Sequence, residues 1–149
     1  MTAQMRRVGS GGLTGALLWA LAGLSVAASP AQQYMLYCMG CHGVRGLGVA
    51  GKVPPLTSLG RFMRSASGRD YVLRVPGAAN SALSDADLAA VLNWAAQSFG
   101  DSGQGSAANP FTVDEVSRAR HHPLAAVREA RSAVIRELAA SGAAPPADY

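Results

Sequence analysis

Two cysteines and a histidine fall within five residues of this chain, as Cys38-Met39-Gly40-Cys41-His42. They are the only cysteines in it. Two thiols with this spacing at the end of a helix can each add across one vinyl group of a haem. His42 would then lie under the iron and could ligate it through Nε2. Two rival uses of the same residues fit poorly. A redox-active dithiol belongs in a βαβ pattern, and none surrounds these cysteines. A zinc site from Cys38, Cys41, His42 and a later histidine would crowd three ligands into five residues, against tetrahedral geometry. The expected cofactor is therefore one covalent haem.

Elements that would position such a group can be read on both sides of the motif. The apolar pattern Tyr34, Met35, Tyr37 and Cys38 predicts a short helix over 32–38 that delivers the thiols. Gly46, Gly48 and Gly51 then spell G-x-G-x-x-G. A dinucleotide reading would need a strand before the motif and a helix after it, but Pro54-Pro55 follows. Glycines that let a loop track a haem edge are the simpler account. A proline carbonyl of Pro54-Pro55 could accept a hydrogen bond from His42 Nδ1–H, which would fix the ring and strengthen it as a donor; an ordinary rigid loop is the other reading. Leu56 is expected to pack on the porphyrin face.

Beyond this loop, residues 60–64 and 70–74 predict short helical turns, with Arg69, Tyr71 and Arg74 as candidates for a haem propionate. The clearest helix is 85–99, capped by Ser84 with Asp87 three residues on. Leu88, Val91, Leu92, Ala95 and Phe99 make its apolar stripe, and the 32–38 helix is its expected partner. Residues 101–110 read as a Gly/Ser-rich linker. A helical extension follows over 111–142: one helix from Thr112 to about Arg120, then another over 124–140. It could pack back on the domain or dock a partner.

Residues 1–28 have the order of a secretory leader: Arg6-Arg7, an apolar run from Leu13 to Leu24, then Val26-Ala27-Ala28. The run is short and interrupted for a spanning helix, which needs about 20 apolar residues. Cleavage would place the domain outside the cytoplasm; an uncleaved leader would tether it to the membrane. Of the 149 residues, 15% are charged, and the formal charge is +4. Without Arg6 and Arg7, eleven basic residues face nine acidic ones. The basic residues form no run and no aromatic-interleaved patch, so nucleic-acid binding is not expected.

Residues 34–99 resemble a class I, mono-haem cytochrome c in the order of these parts: helix, C-x-x-C-H, Gly-rich loop, Pro54-Pro55-Leu56, short helices, Ser84-led helix. The resemblance implies an all-α fold around one covalent haem, with the C-terminal helices as an addition. It implies His42 as proximal ligand and a non-enzymatic role, single-electron transfer in the periplasm. The implied partners are redox proteins, a dehydrogenase supplying electrons and a terminal acceptor taking them.

The chain departs from that family at the second axial ligand. The family places a methionine in the loop before the last core helix, here about residues 72–82, and this loop has neither Met nor His. Met63 is the one methionine after His42 and is the leading candidate for the iron. His121 or His122 could replace it. An iron left open, or closed by water or a weak ligand such as Asn80, is the third reading. It would suit a haem-based ligand-binding or sensor module instead of a carrier.

Overall fold

Ser29 starts the first helix of the structure, a computed structural model that describes residues 27–100 and 109–142. Its hydroxyl accepts from the Gln32 amide, while the Gln32 side chain accepts from the Ser29 amide at 2.8 Å. Pro30 occupies the first helical position, where its missing N–H costs nothing. Helix α1 therefore runs Pro30–Tyr37, beginning two residues before the apolar pattern suggests. After a break at Cys38, α2 covers Met39–His42. A 3₁₀ turn at Leu56–Ser58 leads into α3, Leu59–Phe62. Helix α4 spans Ala66–Arg74, four residues longer at its start than the expected 70–74 turn, because Ser65 caps it through the Gly68 amide at 3.0 Å. Then come α5, Pro76–Ala79, and α6, Asp85–Phe99.

Helix α6 has the limits its capping residues foretell. Ser84 Oγ accepts from the Asp87 amide at 3.1 Å and donates to Asp87 Oδ2 at 2.7 Å. Its stripe buries Leu88, Val91 and Ala95. It packs on α1, as expected. Tyr34 meets Trp94 and Phe99 at centroid distances of 5.4 and 4.9 Å, and Gln33 Nε2 donates to Asp87 Oδ1 at 2.7 Å. The described residues contain no strand beyond an isolated Val49–Val53 bridge, so the fold is all-α. No helix among them is long and apolar enough to cross a membrane. Nearly all of the expected leader, and most of the 101–110 linker, lie outside the described residues.

The C-terminal extension is part of this core. Helices α7, Val113–Ala119, and α8, Val127–Ala140, pack on the preceding helices: α7 on α6 and α4, α8 on α4 and α3. Phe111, Val116, Val134 and Leu138 are buried in the common core. The second helix begins three residues later than its periodicity suggests, because the Leu124 amide bonds the Arg74 carbonyl at 2.8 Å instead of entering a helix.

Two buried arginines and one asparagine fasten the extension. Arg69 donates Nε and Nη2 to the two Glu115 oxygens at 2.6 and 2.5 Å, and Nη1 to the Asn109 carbonyl at 2.7 Å. Its guanidinium also lies 4.5 Å over the Phe111 ring. The Arg69 hydrogen bonds hold the Glu115 carboxyl below the usual carboxylate range. Arg120 reaches back from the end of α7 to the loop before α6. It bonds the carbonyls of Ser81 at 2.6 Å, Leu83 at 2.8 Å and Ala79 at 3.3 Å, and Asp85 at 3.0 Å. Asn93 pairs through both amide atoms with the backbone of Phe111, at 2.8 and 3.0 Å.

Candidate functional site

The two thiols and the imidazole are brought to one place by a short-range device. The chain turns at Cys38, whose carbonyl accepts from both the Cys41 and His42 amides. Cys38 is half-buried and Cys41 exposed. Burial, reinforced by the neighbouring Cys41, pushes the Cys38 thiol up. All three side chains line a cavity of about 320 Å³. Leu59, Val72, Leu83, Leu88 and Val91 make its walls largely apolar.

His42 Nδ1 lies 3.1 Å from the Pro54 carbonyl oxygen, the contact that the spacing led us to expect. Burial lowers the His42 pKa, and the Pro54 hydrogen bond opposes that shift. A carbonyl only accepts, so a neutral ring must carry its proton on Nδ1. Nε2 then keeps its lone pair, the form a metal ligand requires.

The glycine loop fixes the Pro54 carbonyl. The Gly48 amide bonds the His42 carbonyl at 2.9 Å, and the Leu56 amide bonds the Gly46 carbonyl at 2.7 Å. Gly48 has φ +68°, and a Cβ there would overlap the Val53 carbonyl oxygen and stand 2.8 Å from that of Pro54. Gly48 thus permits a close backbone approach. Gly48→Ala is expected to cost about 3 kcal/mol, since a positive φ and a backbone clash add. It should also move the Pro54 carbonyl off His42. A denaturant midpoint and the haem absorption spectrum would read the two effects separately.

Other expected site residues are distributed unevenly. Pro54, Leu56 and Tyr71 line the cavity. Arg69 and Arg74 do not; Arg69 holds the extension, and Arg74 bonds Asp70 and the His122 carbonyl. Met63 is buried at 4% exposure but is not among the lining residues. Its carbonyl accepts from Arg69 Nη1 at 3.2 Å. His121 and His122 are exposed in the turn after α7, and neither lines the cavity. Asn80 is exposed and absent from the wall as well.

Two lining residues come from the extension, and sequence reading missed their role. Val127 and Arg131 of α8 both reach the cavity. Arg131 is only 4% exposed, and its guanidinium lies 4.9 Å over the Phe62 ring. The helical stripe 124–127–130/131–134–138 was the available signal, but it does not tell a buried arginine from a solvated one.

A cytochrome c-552 of Thermus thermophilus is 30% identical over 119 residues, covering 67% of this chain and 80% of that protein. The chain belongs to the c-type cytochromes. A second Thermus thermophilus cytochrome c-552 is 31% identical over 102 residues, covering 56% of this chain and 78% of that protein. No family model and no solved structure matches the chain. Membership in the c-type cytochromes carries a covalently bound haem and a part in electron transfer between redox proteins. The residues present fit that group. The thiols share one apolar cavity with an imidazole whose Nδ1 is already engaged, which would leave His42 Nε2 to hold the iron.

Proposed function

We propose that this cytochrome carries single electrons outside the cytoplasm, from a redox enzyme such as a dehydrogenase to a terminal acceptor of the respiratory chain. Cys38 and Cys41 tether one haem through thioether bonds, and His42 is its proximal ligand. The haem supplies the one-electron couple. Pro54 holds the His42 ring in place. Leu56 and the apolar walls keep water from the macrocycle, which favours the less charged ferrous state. Arg131 and Lys52 bring positive charge to the cavity wall, where the haem's propionates need partners. The leader-like 1–28 segment supports export, since thioether formation follows passage of the unfolded chain across the membrane.

One observation carries the carrier reading. The large apolar side chains most exposed among the described residues are Met35, Leu36, Tyr37, Val44, Leu47 and Val49, all within a few residues of the thiols, with Val113 the exception. Exposed apolar side chains in the segments that flank the attachment motif suit brief docking of a redox partner. Leu36 and Val44, at 72% and 74% exposure, contribute most surface. Leu36→Glu or Val44→Glu should slow electron self-exchange between oxidised and reduced copies about tenfold, the equivalent of 1.4 kcal/mol of lost contact. Nuclear magnetic resonance line widths of mixed oxidation states measure that rate. An unchanged rate in both variants would count against docking through these residues.

A further inference from the structure

Every sulfur and imidazole donor in the folded chain can be placed. Beyond residue 26 there are three methionines and three histidines: Met35, Met39, Met63, His42, His121 and His122. Residues 101–108 and 143–149 contain neither type. Only His42 lines the cavity. Met35 is 57% exposed on α1, and Met39 sits between the two thiols. Met63 is held in the core, with its amide bonded to the Leu59 carbonyl at 3.1 Å and its carbonyl to Arg69. His121 and His122 are exposed, and the His122 carbonyl is bonded by Arg74 Nε at 2.7 Å.

The segment that could bring a donor to the iron brings none. Val75, Pro76, Gly77, Ala78, Ser81 and Leu83 supply that part of the wall. The Arg120 bonds to the carbonyls of Ala79, Ser81 and Leu83 tie this segment down from the extension. Its backbone is therefore held by a side chain from elsewhere in the chain. The wall also carries Tyr34, Tyr37, Lys52, Tyr71, Ser81 and Arg131, none of them a sulfur or imidazole donor. Tyr34 already donates its hydroxyl to the Gly43 carbonyl at 2.6 Å. Lys52 immediately precedes Val53-Pro54, on the segment that supports His42.

We propose that the protein supplies no side chain as sixth ligand, and that the ferrous haem binds a small neutral diatomic of the carbon monoxide class at the open position. Val72, Val75, Ala78 and Leu83 line the cavity with apolar surface, which suits a neutral ligand over a charged one. This rests on the haem reading above. It adds ligand binding to the same centre that transfers electrons.

The test uses the full-length exported protein with its haem attached, reduced and titrated with carbon monoxide while the Soret band is recorded. The expected result is a shift that saturates at equimolar gas, unchanged in Met63→Leu and in the His121→Ala/His122→Ala double variant. The oxidised wild type should also lack the weak far-red band of sulfur-ligated iron. A wild type that ignores carbon monoxide would overturn the proposal. The variant that then gains binding, among Met63→Leu, the double histidine variant, Tyr71→Phe and Lys52→Ala, would name the side chain that closes the site. A protein with no Soret band and no haem mass would overturn the haem reading itself, an outcome distinct from a closed site.

Discussion

Ending the chain at residue 106 should cost roughly 8 kcal/mol of folding stability. The truncation removes Phe111, Val116, Val134 and Leu138, each at most 5% exposed. A fully buried side chain of this size contributes about 2 kcal/mol. Whole domains are stable by only about 5–15 kcal/mol, so the loss takes most of what there is. The shortened chain also leaves Arg69 without Glu115 and the loop before α6 without Arg120. Thermal unfolding of the haem-loaded proteins, with and without residues 107–149, checks the figure. A change within about 1 kcal/mol would show that the extension is an appendage and restore the idea that it serves only to dock a partner. Loss of cooperativity in the truncated form is the expected outcome.

The second large effect concerns the cofactor as a structural part. A Cys38→Ser/Cys41→Ser chain cannot form thioether bonds, and a haem that is not retained leaves the cavity of about 320 Å³ unfilled. Empty core volume costs on the order of 24 cal/mol per Å³, or about 8 kcal/mol here. The walls include Leu59, Val72, Leu88 and Val91, all buried, so collapse would have to drag several helices inward. We therefore expect this chain to keep part of its helix content by far-ultraviolet circular dichroism but to show no sharp thermal transition. A cooperative transition near that of the loaded wild type would show that the helices pack without the haem.

Much of this was legible in the sequence because it rests on local rules. The thiol spacing, the His42–Pro54 contact and the limits of α6 depend on residues near one another or on a cap, and a cap such as Ser84 works the same way in any context. The Ser29-Pro30-x-Gln32 capping box was equally readable and would have moved the start of α1 to Pro30. What the sequence hides is the work of its arginines. Arg69, Arg120 and Arg131 carry the same charge as Arg118 or Arg128, which remain exposed. Whether a guanidinium is buried depends on carbonyls and carboxylates supplied by distant segments, and no spacing encodes them. Met63 follows the same logic. Its position after His42 makes it a candidate for the iron, and only the structure shows that it is buried in the core with its carbonyl accepting from Arg69.

The two α8 residues on the cavity wall also set an order of events. In a chain made from its N-terminus, Cys38 and Cys41 appear before α8. The thiols can therefore meet the cofactor while one wall is missing and the pocket is a wide-open trough. Docking of α8 later adds Val127 and Arg131 to that wall. The extension thus works as a door hung after the furniture is in place.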